Sequence, residues 1–127
     1  MARRAGKYYL MSEFDCKDGT PVPRRAYGEV EHLVRHFLDP LRDHYGPVVV
    51  LSGFRTEGHN RAVRGAARSF HRYSLVPGRG VAADVRPARG TVGEWVAFLG
   101  ELGAGGLGTY AQFVHVDTRS AHARWRG

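Results

Sequence analysis

Apolar side chains recur at helical spacing through residues 24–45, the longest periodic segment of the chain. The apolar positions in this segment are Val30, Leu33, Val34, Phe37, Leu38, Leu41 and Tyr45. Steps of three and four residues place them on one face, so the pattern predicts a helix over 24–45. We expect Pro40 to kink or interrupt this helix near its end, and Gly46 with Pro47 to stop it.

Capping signals predict two further helices. Thr56 is a suitable N-cap residue and would open a helix that runs to about residue 67. Thr91 and Glu94 form a T-x-x-E capping box, which predicts a helix through Leu102.

Short apolar runs predict three β-strands. Residues 47–51 form a β-branched run that suits a buried strand, and residues 80–86 form a second strand with Asp84 on one face. The glycine-rich stretch 103–110 is interpreted as the approach to a final strand over 113–117. This order of elements predicts an α+β fold, with a small, mostly antiparallel sheet flanked by helices.

The composition is that of one soluble globular domain. The 127 residues are enough to bury a core, and 43% hydrophobic against 24% charged residues excludes a disordered chain. No linker or repeat divides the sequence, so we predict one domain over 1–127, with residues 1–23 as an ordered leader. No apolar run is long enough to span a membrane, and no signal-peptide segment follows the basic N-terminus.

The net charge and the cysteine content limit which partners and which metal ligands are expected. Nineteen Lys and Arg residues against twelve Asp and Glu residues give a formal net charge of +7. This charge favours a polyanionic partner such as nucleic acid, anionic lipid or a bacterial wall. Nucleic acid is the least expected, because the arginines are scattered and no aromatic-basic motif stands out. Cys16 is the only cysteine, so a metal site would use histidine and carboxylate ligands.

Three segments contain residue types that an ordinary core avoids: S-F-H with His71, V-A-A-D with Asp84, and F-V-H-V-D with His115 and Asp117. Strand alternation puts His115 and Asp117 on the same face, and such groups need a partner or a metal ion when buried. Two histidines and one carboxylate form a donor set of catalytic zinc, which leaves one position open for water. Other divalent ions also accept this set.

The ordered series SGFRTEGHNRAVRGAARSFH, GVAAD and FVHVD resembles the zinc D-Ala-D-Ala carboxypeptidases and L-alanyl-D-glutamate endopeptidases. These enzymes share the hedgehog-type fold and include many phage endolysins. The resemblance covers about residues 10–126, and the leader segment MSEFDCKDG is similar as well. It implies a zinc-dependent peptidase that hydrolyses peptide bonds in the stem peptides of bacterial peptidoglycan, as a carboxypeptidase or an endopeptidase. It also suggests a phage or prophage protein that reaches the wall by holin release or as a virion component, among other virion proteins.

Carried over position by position, the resemblance implies a Zn²⁺ ion held by His71, Asp84 and His115. Arg55 matches an arginine that lies beside the active site and binds substrate carboxylate, for which a guanidinium group offers a planar fork. Ser69 matches a serine that forms hydrogen bonds near the site. A surface ion pair is the other interpretation of Arg55.

The chain departs from the family pattern in the spacing of its first two ligands. His71 and Asp84 are thirteen residues apart, whereas the family usually separates these residues by seven. Residues 73–78, YSLVPG, account for the difference as an insertion. A longer loop costs little entropy, so ligation is expected to persist, and the insertion would sit at the mouth of the site.

The catalytic base is the second departure. Many relatives have Asp or Glu three residues before the last ligand, where this chain has Gln112. Asp117 is the nearest replacement and would take a proton from water. Alternatively, Asp117 orients His115 or pairs with Arg119. His122 is a more distant candidate for the base.

These departures keep a second functional class open, a catalytically inactive binding or virion structural protein that retains the fold. The other histidines add little to either interpretation. His32 and His36 share a helix face, which is better interpreted as solvated than as a metal pair, and His59 is a weaker candidate for lining the cleft.

Overall fold

A computed structural model describes residues 2–73 and 80–127 of the protein, and a five-stranded sheet is its central element. Over those residues the strands are β1 Val48–Ser52, β2 Ala82–Pro87, β3 Gly106–Thr109, β4 Val114–Asp117 and β5 Ala123–Arg126. The α-helices there are α1 Tyr27–Leu33, α2 Asp39–Tyr45, α3 Glu57–Ala62 and α4 Val92–Glu101. Across the sheet the strand order is β1-β2-β4-β3-β5. All neighbours pair antiparallel except β3 and β5, which pair parallel, so the predicted α+β class is confirmed.

The two faces of the sheet have different chemistry, because strand alternation sends neighbouring side chains to opposite sides. Residues of the first face lie in the apolar core, namely Ala83 and Val85 of β2, Leu107 of β3, and Val114 and Val116 of β4. The helices α1, α2 and α4 add to that core, with Val30, Leu41 and Leu99 among its members. The opposite face carries Asp84, His115 and Asp117, as the alternation predicts.

The predicted helix over 24–45 exists but is divided. A 3-10 turn at Arg24–Ala26 leads into α1, a π-helical turn at Val34–Leu38 follows, and α2 completes the segment. Pro40 stands in the first turn of α2, where a missing N–H group is tolerated. The wider π-helical turn immediately before it relieves the clash that a proline ring makes with the preceding turn. The expected interruption near Pro40 is confirmed.

The helix that begins after Thr56 is shorter than predicted. The Thr56 hydroxyl accepts a hydrogen bond from the amide of His59, which confirms the cap, but α3 ends at Ala62 instead of continuing to residue 67. Arg64 adopts a left-handed conformation with φ 59°, which ends the helical hydrogen-bond pattern. The predicted end was too late, because the left-handed position is occupied by arginine and the stop signal, Gly65, follows one residue later.

The glycine-rich stretch 103–110 was also misinterpreted, since it contains strand β3, and β5 forms a further strand after residue 117. Glycine is rare in strands because it has no side chain to pack, so the sequence signal for β3 is weak. Tertiary packing decides the outcome here: Leu107 is buried in the core between two glycines that face the other way.

The leader residues pack against the sheet. Tyr9, Met11 and Phe14 are buried, and a 3-10 turn at Met11–Phe14 brings the carbonyl of Phe14 to the amide of Phe54, at 2.8 Å. A Cβ atom on Gly53 would lie 2.7 Å from the Phe14 backbone, so the leader approaches β1 closely only because residue 53 is glycine. In the part of the chain described, no helix has the length and apolar character to cross a membrane.

Candidate metal centre

Three predicted ligands converge on the polar face of the sheet. Asp84 on β2 and His115 on β4 are directly paired across the ladder, and His71 approaches from a 3-10 turn at Phe70–Arg72. One donor atom from each residue lies within 4.8 Å of the other two. The exposed fractions are only 3% for His71, 8% for Asp84 and 7% for His115. Over residues 2–73 and 80–127 this is the one group of histidine, cysteine and acidic residues that could hold a metal ion.

Each histidine has one nitrogen committed to another partner. Nδ1 of His71 lies 2.8 Å from the carbonyl oxygen of Gly53, which can only accept, so this nitrogen carries the proton. Nε2 of His115 lies 2.8 Å from Oδ2 of Asp117 and donates in the same way. The remaining nitrogens, Nε2 of His71 and Nδ1 of His115, both face Oδ1 of Asp84, at 3.1 and 3.0 Å.

This arrangement fits a metal ion. Histidines that bind metals usually donate their second N–H to a backbone carbonyl or a carboxylate, which fixes the ring and its tautomer. Here His71 uses Gly53 and His115 uses Asp117 for that purpose, so the other nitrogen of each ring is left to share a proton or a metal ion with Asp84. A donor set of two imidazoles and one carboxylate is suited to zinc and leaves room for a further ligand.

The electrostatics favour a positive charge at the same point. Burial alone would lower the pKa of His115, but its hydrogen bonds to Asp117 and Asp84 outweigh burial and raise it. Burial would likewise raise the pKa of Asp84, yet the hydrogen bonds from His115 and His71 bring it well below its usual range. The pKa of His71 is lowered, mainly by burial. A cation between these groups, proton or metal, is therefore stabilised by the surrounding carboxylates.

Asp117 is fully buried and does not line the cleft above the three ligands. Its carboxylate accepts hydrogen bonds from Nε and Nη2 of Arg119, the shortest at 2.6 Å, and from the Arg119 amide at 3.1 Å. With His115 these contacts hold its pKa well below the usual range, although burial acts in the opposite direction. Of the two roles that the sequence left open, the geometry favours orientation of His115.

Arg55 and Ser69 line the same cleft as the three candidate ligands. Nη2 of Arg55 is 3.5 Å from Oδ2 of Asp84, and Ser52 and Asn60 hold the rest of the guanidinium group. The Ser69 hydroxyl accepts a hydrogen bond from the amide of His71, at 3.1 Å, and so caps the turn that presents this ligand.

Other sequence candidates are not brought to the cleft. Gln112 is exposed and lines a separate depression near α4, and His122 lines another one. The rings of His32 on α1 and His36 on the π-helical turn are neighbours, with centroids 4.1 Å apart and planes tilted by 34°. His59 does not line the cleft. Apart from Tyr73, the insertion predicted at residues 73–78 lies outside the described residues.

Sequence reasoning missed the aromatic wall of the cleft. The cleft has a volume of about 530 Å³, and Tyr110, Phe113 and Trp125 line it together with the ligands. The ring of Trp125 lies 4.9 Å from the ring of His115, centroid to centroid. The alternation A-R-W-R at 123–126 could have indicated strand β5, but four residues are too few for a reliable periodic pattern.

Two glycines of β3 make space for this site. Gly106 is paired with Asp117 and Gly108 with His115, so both glycines face the polar side of the sheet. A Cβ atom on Gly106 would lie 2.2 Å from Oδ2 of Asp117, and one on Gly108 would lie 2.6 Å from Nε1 of Trp125. The carboxylate and the indole therefore extend across β3 where no side chain obstructs them.

Comparison with known protein families gives one match. A family model described as peptidase M15 matches residues 12–117, which include the three converging ligands, Arg55 and Asp117 but end before β5. No curated protein and no solved structure matches the chain.

Proposed function

The chain belongs to the peptidase M15 family of zinc D-Ala-D-Ala carboxypeptidases, and on that premise we propose that it hydrolyses peptide bonds in the stem peptides of bacterial peptidoglycan. The observation that supports this most is the arrangement of His71, Asp84 and His115, in which Gly53 and Asp117 hold the two rings so that the other nitrogen of each faces Asp84. A zinc ion bound there would polarise the scissile carbonyl and increase the acidity of a water molecule.

Residues around that centre would bind the substrate and orient a metal ligand. Arg55 places a guanidinium group at the edge of the cleft, where it would bind a substrate carboxylate in exchange for part of its contact with Asp84. Asp117 holds the ring of His115, and Arg119 compensates the charge of Asp117 inside the protein. The net charge of +7 would attract the chain to the anionic wall.

The experiment that tests this function combines metal analysis with a cleavage assay. We expect the purified protein to contain about one zinc ion per chain and to release fragments with new amino termini from peptidoglycan. A chelator should abolish cleavage, and added zinc should restore it, because the ligands persist without the ion. Elemental mass spectrometry and mass spectrometry of the products give the two readouts. Protein that takes up no zinc when it is supplied would contradict the proposal.

One observation favours the second candidate, a binding or virion structural protein without activity. Over the part of the chain that the structure describes, Asp84 is the only carboxylate lining the cleft, so the cleft offers no further acidic group to accept a proton from water. Zinc binding and sedimentation with purified walls, without any release of fragments, would support this candidate. Origin in a phage, holin release and contacts with virion proteins stay predictions from the resemblance.

Replacing Asp117 by asparagine distinguishes its two roles. If Asp117 orients His115, Asp117→Asn should weaken zinc binding by roughly 10- to 100-fold, because the amide loses the negative charge between His115 and Arg119 and turns an N–H group towards one of these donors. Saturating zinc should restore most activity. Zinc titration and cleavage rates at saturating zinc are the measurements. Glu101→Gln, which removes an exposed carboxylate at the end of α4, is the matched control.

The opposite pattern would identify Asp117 as the base. Zinc affinity would then be unchanged in Asp117→Asn, and the rate at saturating zinc would fall by about 10²- to 10⁴-fold.

A further inference from the structure

The hydroxyl group of Tyr110 is held in the cleft with its proton available. Nε1 of Trp125 donates a hydrogen bond to this hydroxyl, at 3.0 Å. An indole N–H is only a donor, so it occupies a lone pair of the phenol oxygen and leaves the phenol proton unused. Within residues 2–73 and 80–127, no group accepts a hydrogen bond from the Tyr110 hydroxyl.

The position of this hydroxyl follows from the register of three strands. Gly108 of β3 is paired with His115 on one side and with Trp125 on the other. A Cβ atom on Gly108 would come within 2.6 Å of Trp125 and 2.8 Å of the Tyr110 ring, so both aromatic groups lie over this glycine. The indole therefore contacts the ring of His115 and at the same time holds the phenol oxygen, and both aromatic groups line the cleft.

The phenol ring is fixed on several sides. It stacks on Phe113 with centroids 4.5 Å apart and an interplanar angle of 8°. The Tyr110 amide donates to the carbonyl of Phe113, which closes the turn between β3 and β4. A Cβ atom on Gly127 would lie 2.1 Å from the phenol ring, so the backbone after β5 packs against its other edge. A donor fixed in this way needs no reorganisation when charge develops beside it.

We propose that the Tyr110 hydroxyl donates a hydrogen bond to the oxygen of the scissile carbonyl, and donates it more strongly as that oxygen becomes negative. This inference rests on the proposed peptidase function. Tyr110 is then a catalytic residue, and Trp125 is a positioning residue that aims the phenol proton into the cleft. A hydroxyl donor suits this cleft because Asp84 is the only carboxylate that lines it among the described residues. Asp84 already faces the two ligand histidines. No covalent change in Tyr110 is involved.

Tyr110→Phe tests the proposal because it removes one oxygen and keeps the ring on Phe113. With zinc bound, we expect kcat to fall by about 10²-fold, while KM changes by less than about twofold and zinc content stays the same. A phosphinate analogue of the stem peptide, which mimics the tetrahedral state, should bind more weakly by a similar factor. The product peptide should bind as it does to the wild type. Tyr45→Phe, at the end of α2, is the matched control.

A second variant separates positioning from packing. Trp125→Phe keeps an aromatic ring beside His115 but removes the indole N–H, and it should lower kcat by less than Tyr110→Phe does. In the double variant no loss beyond that of Tyr110→Phe is expected, since both changes remove the same hydrogen bond.

Two outcomes would overturn the proposal in distinguishable ways. An active wild type with an equally active Tyr110→Phe variant would remove Tyr110 from catalysis and leave the peptidase function standing. A zinc-loaded wild type that cleaves no wall peptide would overturn the peptidase function and this role together.

Discussion

Replacing Asp84 by asparagine is expected to remove zinc from the protein and to abolish peptide hydrolysis. Oδ1 of this carboxylate is the atom that both ligand histidines face, so it lies at the centre of the group. Asparagine keeps the shape and loses the negative charge that stabilises a cation among buried side chains. We expect zinc affinity to fall by at least about 100-fold and the rate by about 10³-fold or more.

Zinc titration and the wall-cleavage assay measure this result, and circular dichroism checks that the variant is folded. Asp43→Asn is the matched control, because Asp43 is an exposed carboxylate on α2 that pairs with Lys7 away from the cleft. Its zinc content and rate should equal those of the wild type. An Asp84→Asn protein that binds zinc with wild-type affinity would show that Asp84 is not a ligand.

Adding one methyl group at Gly106 should damage both the fold and the site. The new Cβ atom would lie 2.2 Å from Oδ2 and 2.5 Å from Cγ of Asp117, whose carboxylate is fixed by Arg119 and His115 and has no exposed surface. Either β3 moves away from β4 or the carboxylate is displaced from His115. We expect Gly106→Ala to lower the free energy of unfolding by about 1–3 kcal/mol and zinc affinity by roughly tenfold or more.

Urea denaturation and zinc titration measure these two effects. Gly100→Ala is the control, since Gly100 lies in α4 and its Cβ atom would have its nearest neighbour at 3.7 Å, the Leu107 side chain. That change should leave zinc binding unchanged and raise stability by about 0.5–1 kcal/mol, because alanine favours the helix. If Gly106→Ala and the wild type had the same free energy of unfolding, β3 could move to admit the methyl group without destabilising the fold, and the prediction would be wrong.

Functional residues that lie within a short strand pattern could be predicted from the sequence. The alternation in F-V-H-V-D placed His115 and Asp117 on one face, and the small residues around Asp84 indicated a buried carboxylate; the sheet brings both to the same place. Such predictions succeed because the period of a strand is a local property of the backbone.

The cleft wall could not be predicted in the same way. Trp125 reaches His115 only because β5 pairs parallel to β3 and because Gly108 has no side chain between them. The first condition is a long-range strand pairing and the second is the missing side chain of Gly108. Neither produces a periodic pattern in the sequence. The buried state of Asp117 likewise depends on Arg119 folding back over it, which residue spacing does not reveal.

The candidate metal ligands of the sheet and the aromatic wall of the cleft lie on different kinds of strand. Asp84 and His115 stand on β2 and β4, which have neighbours on both sides, whereas Trp125 stands on β5 at an edge with one neighbour. Edge strands lose their pairing at less cost than central ones, since fewer contacts must break. Sequence changes in β5 can therefore be accommodated without displacing Asp84 and His115 on the central strands. In evolutionary terms, the fold tolerates more change at this edge than in its central strands.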